Sequence, residues 1–359
     1  LLAASLSSSF AALIFSTPFA AYWFGGVSIV SPFANLLLLW LVNIIFIGGA
    51  LSLALPFLAP AAGFVLDIFR GALGILGKIP YAVLYTEQPY MLAWLCYTYL
   101  MLVVMLLTRR WKAPCALTAA SLALCLSLTV WSGTRYTLEI AALDVGQGQC
   151  VVVRSGGQTA VLDCGGGANA GRAAARFLQS RGTRRVDYLL LSHYDADHIN
   201  GVTALTELTD VSYVLGPDAE GAPEGLIAVT EDVTLPLGSA SIALIPSRWF
   251  GDSNALCLTA LVSADGFTFL NTGDLDAGAE RWLVRWADLP PVDVMMAGHH
   301  GSPGSTSEKL LDAVSPKAAV ISVGQNRYGH PSPEVLERLL SRGTAVYRTD
   351  TRGAVIIRC

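Results

Sequence analysis

The chain has 359 residues, of which 53% are hydrophobic and only 14% charged, and its mean hydropathy is +0.53. A soluble domain usually carries about 25% charged residues. The deficit is uneven. Residues 1–133 hold five Lys/Arg (Arg70, Lys78, Arg109, Arg110, Lys112) and two Asp/Glu (Asp67, Glu87), which leaves 18 and 25 for residues 134–359, together with all five histidines. This excludes a uniform soluble protein, a disordered chain and a protein made only of membrane helices. A membrane segment (1–133) joined to a soluble domain (134–359) remains.

The first 66 residues contain no Asp, Glu, Lys or Arg. Roughly 20 apolar residues cross a bilayer core, so this stretch has room for about two crossings. They are predicted near Ser9–Phe24 and Ala34–Ala54. A signal peptide fits poorly, because no basic region precedes the apolar run. The chain begins at Leu1 and reads as the C-terminal part of a longer protein. Asp67–Leu84 carries Arg70 and Lys78 among apolar residues and suits either an amphipathic interfacial segment or a loop with a short helix. Tyr90–Leu107 and Pro114–Ser132 are two further spans, which brings the total to about four. Their joint contains Arg109, Arg110 and Lys112, and positive charge in a short loop marks the cytoplasmic side. The expected arrangement is a multi-pass protein of the plasma membrane, in contact with lipid, whose soluble domain is extracytoplasmic. Seven cysteines indicate no clear disulfide framework.

From Arg135 onward, short β-branched runs alternate with amphipathic segments. Strands are predicted at Thr137–Val145, Gln149–Arg154, Thr159–Asp163, Val186–Ser192, Ser241–Ile245, Leu256–Val262, Phe267–Asn271, Val292–Met296, Ala318–Val323, Ala345–Arg348 and Ala354–Arg358. Helices are predicted at Ala170–Ser180, Ala277–Trp286, Ser307–Val314 and Pro333–Ser341. Two successive strand groups with flanking helices imply two sheets packed face to face with helices outside.

The strongest motif is Ser192-His193-Tyr194-Asp195-Ala196-Asp197-His198. Two imidazoles and two carboxylates fall within six positions, directly after an apolar strand. These are ligands for Zn²⁺, and the carboxylates also suit a harder ion such as Mn²⁺. The alternative is a polar turn that caps the next helix. The loop Gly301–Ser307, with Ser302, Ser305, Thr306 and Ser307, offers amides and hydroxyls suited to phosphate oxygens, or else an N-cap at Ser305 or Thr306. Arg348 and Arg352 are either further phosphate contacts or, the favoured reading, solvated charges at a strand end.

His193-x-Asp195-x-Asp197-His198 resembles the His-x-His-x-Asp-His signature of the metallo-β-lactamase superfamily, with Asp195 in place of the second His. Together with Leu143-Asp144-Val145-Gly146-Gln147-Gly148, Thr272-Gly273-Asp274 and His299-His300-Gly301-Ser302, it resembles the ComEC family of DNA-uptake channels. Gln149 stands where that family commonly has Asp. The resemblance implies an α-helical polytopic membrane segment followed by an αββα metallo-β-lactamase-like sandwich. It also implies Asp274 bridging two divalent ions (Mn or Zn) and Asp163 supporting a ligand histidine.

No His lies between His198 and His299, where the superfamily normally supplies one; the nearest polar candidate is Asn254. The expected ligands are therefore His193, Asp195, Asp274 and His300 for one ion, and Asp197, His198, Asp274 and His330 for the other. His299 is the alternative to His300. Asp197, Asp274 and His299 are the expected catalytic residues, and Ser302 an expected supporting or substrate contact. The implied function is a channel for single-stranded DNA whose hydrolase domain, a di-metal phosphodiesterase, degrades the other strand. The implied partners are DNA, a cytoplasmic DNA translocase and an extracytoplasmic DNA receptor. Two other readings are a channel with a non-catalytic domain and a membrane-tethered hydrolase of small esters.

Overall fold

In the computed structural model the described residues are all but 1, 78, 80, 81, 86–88, 134, 250 and 252, so Lys78 and Glu87 lie outside them. The chain divides into two compact units, Leu1–Trp131 and Ser132–Cys359. The first is built from α1 (Leu2–Phe24), α2 (Ser31–Ala54), α3 (Ala59–Gly77), α4 (Pro89–Thr108) and α5 (Lys112–Gly133). A small antiparallel ribbon pairs β1 (Gly26–Ser28) with β2 (Val83–Tyr85). Among the described residues, Ser31–Ala54, Pro56–Gly77 and Tyr90–Thr108 are long and apolar enough to cross a membrane, and shorter apolar stretches occupy Ala11–Trp23 and Lys112–Leu128.

Pro18 lies inside α1 and cannot donate to the carbonyl of Ile14, four residues back. The Tyr99 hydroxyl from α4 donates to that oxygen at 2.5 Å, so the freed acceptor is satisfied within the unit. α3 differs from expectation. It begins at Ala59 and runs through Asp67 and Arg70 as one helix. Pro60 does not break it, because a proline in the first turn forfeits no helical hydrogen bond.

The second unit holds two seven-stranded sheets. The first contains β3 (Glu139–Ala142), β4 (Val151–Ser155), β5 (Gln158–Leu162), β6 (Arg185–Leu190), β7 (Asp210–Pro217) and β8 (Ile227–Val229). The second contains β9 (Val233–Leu237), β10 (Ala240–Pro246), β11 (Leu258–Ala264), β12 (Phe267–Asn271), β13 (Val294–Met296), β14 (Ala318–Ile321) and β15 (Ala345–Arg348). The last strand, β16 (Val355–Arg358), returns to the first sheet beside β3. The helices are α6 (Ala170–Ser180), α7 (Ala196–Ile199), α8 (Val202–Leu208), α9 (Ala277–Trp286), α10 (Glu308–Val314), α11 (Pro333–Ser341) and α12 (Thr349–Arg352).

Alternate side chains of a strand face opposite ways, so each sheet presents two apolar faces. Ile140, Val151 and Val153 meet Ile242, Leu244, Val262 and Phe269 between the sheets. The outer face of the first sheet (Val152, Val161, Leu189) covers Ala174 and Leu178 of α6 and Leu205 of α8. The outer face of the second (Leu270, Met295, Ile321) covers Leu310 and Leu311 of α10 and Val335 and Leu339 of α11. The result is an αββα sandwich.

The segment 196–240 contains α7, α8 and β7 to β9, which periodicity had not resolved. α7 has only four residues, and β7 carries exposed Tyr213 near its middle. β5 to β8 run parallel, as do β12 to β15. Parallel strands aim their carboxyl ends at one edge, where such sheets gather functional loops.

Candidate metal centre

The chemistry-bearing residues follow the carboxyl ends of five strands in both sheets. Asp163 follows β5, His193 to His198 follow β6, Asp274 follows β12, His299 and His300 follow β13, and His330 follows β14. Glycines allow the loops to close on one another. A Cβ on Gly165 would sit 2.3 Å from the Asp197 carbonyl carbon and the His198 amide nitrogen, and one on Gly148 would sit 2.5 Å from the Asp197 oxygen. Only glycine permits that approach.

Asp163 is the fixed point beneath the site. It is fully buried, with φ +56°. Its Oδ1 accepts from the Ser192 amide (2.6 Å), and its Oδ2 accepts from Ser192 Oγ (2.8 Å), Gln149 Nε2 (2.7 Å) and His198 Nδ1 (2.9 Å). A carboxylate only accepts, so His198 carries a proton on Nδ1 and turns Nε2 toward the site. Ser192 gives its single proton to Asp163, so its oxygen accepts from His193 Nδ1 at 3.0 Å. His300 Nδ1 donates to the Ser322 carbonyl at 2.8 Å. All three rings therefore direct Nε2, rather than Nδ1, toward the site.

Those nitrogens converge on carboxylates. His198 Nε2 lies 3.2 Å from Asp274 Oδ1 and 3.3 Å from His300 Nε2. His300 Nε2 lies 3.3 Å from Asp197 Oδ2. Asp274 Oδ2 stands 3.6 Å from His299 Nε2, 3.9 Å from His300 Nε2 and 4.0 Å from His193 Nε2. His193 Nε2 and Asp274 Oδ1 are buried without hydrogen-bond partners. Facing lone pairs beside carboxylates repel unless a cation or proton lies among them, and buried orphan acceptors are costly. The donor set thus fits a divalent ion. Its ligand atoms fall into two groups, His193/His198/Asp274 and Asp197/His198/His300.

The acidities show what a proton does in the place of a cation. Burial alone would raise the Asp274 carboxyl, but His198, His300 and His193 pull it far below the usual range, so it is a carboxylate at physiological pH. Burial lowers the His198 imidazole, yet Asp274 and Asp163 outweigh it and hold it well above its ordinary value, so without a cation a proton sits on Nε2 facing Asp274, where a divalent ion would displace it. Burial and neighbouring His198 push His193 down, which keeps its lone pair available.

The grouping differs from the expected one in a specific way. His300 stands with Asp197 and His198 rather than with His193 and Asp195. Its anchor is the reason: the Nδ1 bond to the Ser322 carbonyl aims His300 Nε2 at Asp197 and His198, on a backbone where His299 (φ 51°) and His300 (φ 54°) are both left-handed. Such conformations cost about 1 to 3 kcal/mol each and persist where surrounding contacts impose them.

Asp195 occupies the N-cap position of α7, but its side chain caps nothing; Oδ2 faces His193 Nε2 at 3.7 Å instead. His330 is half-buried, with its ring centroid 5.7 Å from that of His299, beyond both ligand groups. Asn254 stands on the turn Ser253–Leu256 ahead of β11. Ser302 is half-buried, and its Oγ accepts only a long bond from Gly304. Asn271 and Ser322 carry no site signal in the sequence, and Ser192 and Gln149 stand out there without a role. Gln149 Nε2 also donates to Asn271 Oδ1 at 3.2 Å and so ties the two sheets together beneath the site.

The phosphate cradle expected at Gly301–Ser307 is corrected by the structure. The Thr306 and Ser307 amides already donate to the buried Glu280 carboxylate, at 2.6 and 2.7 Å. The N-cap of α10 is Ser307, not Ser305 or Thr306. Arg338 donates to the carbonyls of Pro303, Ser305 and Thr306, which completes a clamp on the loop after His300. Arg348 is paired with Asp350, and Arg352 lies over the Tyr347 ring.

Burial raises Glu280 from 4.5 to about 7, against the opposing pull of the two amides and Arg338. A carboxyl raised in the folded state contributes stability that is full below its unfolded value and is lost as pH climbs through about 7. The stability difference between wild type and Glu280→Gln should therefore shift by on the order of 3 kcal/mol between about pH 4.5 and pH 7.5, with wild type losing ground as pH rises. Thermal unfolding across that range measures it, and a pH-independent difference would contradict it.

Comparisons with known proteins agree with this architecture. The metallo-beta-lactamase superfamily matches residues 143–325 and the competence protein family matches residues 1–111. The chain is 36% identical over 222 residues to the competence protein ComA of Neisseria gonorrhoeae, covering 60% of this chain and 31% of that one. It is 29% identical over 254 residues to ComE operon protein 3 of Bacillus subtilis (strain 168), covering 61% of this chain and 33% of that one. The chain thus spans about a third of the length of these relatives. Among solved structures, the metallo-beta-lactamase fold protein YhfI from Bacillus subtilis is similar with a TM-score of 0.47 at 13% identity, over 62% of this chain and 100% of that one. With its two sheets, its strand-end histidines and its apolar N-terminal helices, the chain belongs to the metallo-beta-lactamase superfamily and carries that domain behind the competence-protein segment of the ComEC family.

Proposed function

We propose that this chain is part of a membrane conduit for single-stranded DNA and that its second unit is a metal-dependent phosphodiesterase acting on the strand that is not carried. The observation that supports the reading most is the convergence of three imidazole Nε2 atoms on Asp274 and Asp197, in a chain whose first 111 residues match the competence protein family. His193, His198, His300, Asp197 and Asp274 would hold two divalent ions, with Asp195, His299 and His330 at the rim. Bound divalent cations supply Lewis acidity at a phosphoryl oxygen and lower the pKa of water. The chain's own contribution is to position. Asp163 orients His198 and, through Ser192, His193. His299, a third exposed and 3.6 Å from Asp274, can take or give a proton at Nε2 on the open side of the site.

The excess of acidic residues in 134–359 disfavours broad electrostatic attraction to DNA, which usually comes from basic patches. Substrate would be held locally, at the site. Arg109, Arg110 and Lys112 between α4 and α5 support a cytoplasmic joint and an extracytoplasmic second unit. A DNA translocase inside and a DNA receptor outside are the expected partners.

The test is a cleavage assay on the full chain in detergent, with single- and double-stranded DNA, in Mn²⁺, Zn²⁺ or Mg²⁺. Metal-dependent cleavage that EDTA stops is expected. Absence of cleavage with every metal, alongside turnover of small carboxylic esters, would replace this reading with a membrane-tethered esterase.

A further inference from the structure

The loop after β14 presents an aromatic side chain that the fold does not use. Tyr328 is 74% exposed. The loop is closed by Asn326 instead. Asn326 Nδ2 donates to the carbonyls of Gly324 (2.9 Å) and His330 (2.8 Å), and its Oδ1 accepts from the amides of Tyr328 (3.0 Å) and His330 (3.1 Å). Four bonds from one amide hold the turn rigid and leave the Tyr328 ring outside it.

The ring is nonetheless connected to the metal centre. It lies 5.7 Å from the His330 ring at an interplanar angle of 31°. The His330 ring lies 5.7 Å from that of His299, nearly perpendicular to it. His299 Nε2 is in turn 3.6 Å from Asp274. The three rings form a stair from the ligand carboxylate to solvent, with exposed Arg327 next to the top step. A rigid, open aromatic face, with an exposed arginine one residue away in the chain, suits a flat ring attached to a phosphate chain.

We infer that Tyr328 is the platform on which a nucleobase stacks when the neighbouring phosphodiester reaches the metal centre. This rests on the nucleic-acid reading of the site proposed above and deepens it. The platform accepts any base, because every base has a π face, and it favours single strands, whose bases are free to stack outward. It would place the scissile phosphate relative to one nucleotide rather than relative to a sequence.

A two-by-two comparison tests it. Full chain in detergent with Mn²⁺, wild type and Tyr328→Ala, is given single-stranded oligonucleotides in which one base at a time is replaced by an abasic residue. KM for the cleavable oligonucleotides and Kd for their phosphorothioate counterparts, by fluorescence anisotropy, are both read. Tyr328→Ala is expected to weaken binding of the intact oligonucleotide about tenfold. At one position, base removal should weaken wild type by the same factor and have no further effect on Tyr328→Ala. Tyr328→Phe keeps the ring and should match wild type. Additive losses at every position, or wild-type affinity in Tyr328→Ala, would overturn the platform. If wild type neither binds nor cleaves any oligonucleotide, the nucleic-acid reading fails, and the platform with it.

Discussion

Asp274→Asn is expected to strip most divalent-cation binding from the chain, by more than the about 100-fold that loss of a supporting residue costs. The substitution keeps the shape and removes the charge. Asp274 is the carboxylate that stands within 4.0 Å of His193, His198, His299 and His300. It contributes to one ligand group directly and faces the other through His300. An amide in its place would direct an N–H at imidazole lone pairs or present a neutral oxygen, and neither balances a divalent ion. Metal content after dialysis, with titration calorimetry for Mn²⁺ and Zn²⁺, measures the effect. Wild-type metal content in Asp274→Asn would remove it from the ligand set. Phosphodiester cleavage should fall with occupancy.

The second large effect is on stability. Asp163→Ala would leave the Ser192 amide, Ser192 Oγ, Gln149 Nε2 and His198 Nδ1 without their shared acceptor. The site is fully buried, so water does not replace the carboxylate cheaply. Breaking such a centre costs about 3 to 5 kcal/mol. In a unit of this size the loss lowers Tm by roughly 10 °C. Alanine must also adopt the left-handed conformation at this position, φ +56°. Asp163→Asn separates the two roles. It keeps size and backbone preference but directs one N–H toward donors, and it should reduce metal affinity about 10- to 100-fold through mis-set histidine tautomers. Unchanged Tm in Asp163→Ala would show that the network carries no net stability.

The parts of the fold legible in the sequence were those with long, consistent periodicity. α6 and α9 fall at the bounds their apolar spacing predicts, because each has one buried face and polar residues elsewhere. The segment 196–240 was opaque because its elements are short and its strands partly exposed, so no period is sustained. For the site, spacing nominated the residues but not their grouping. His193-x-Asp195-x-Asp197-His198 reads as a ligand loop because one strand end aims it. Where His300 belongs is decided by two consecutive left-handed residues and a bond to the Ser322 carbonyl, neither of which leaves a mark in residue identity. Ser192 was in view within the motif, yet its role emerges only when Asp163 is seen beneath it. The amides at Thr306 and Ser307 looked free for phosphate until Glu280, 26 and 27 residues away in the chain, was found in the way.

The candidate ligands come from strand ends in both sheets, and Gln149 with Asn271 joins those sheets below them. Sliding one sheet against the other would pull Asp274 and His300 away from His193 and His198. Cation binding and sheet packing are therefore coupled by mass action, and the coupling is reciprocal. A cation at 100 times its dissociation constant adds about 2.7 kcal/mol to unfolding free energy. The melting temperature of the second unit is then a direct gauge of occupancy. Bound ions would act as a buckle between the two sheets, so a cell poor in the right metal would hold a looser domain.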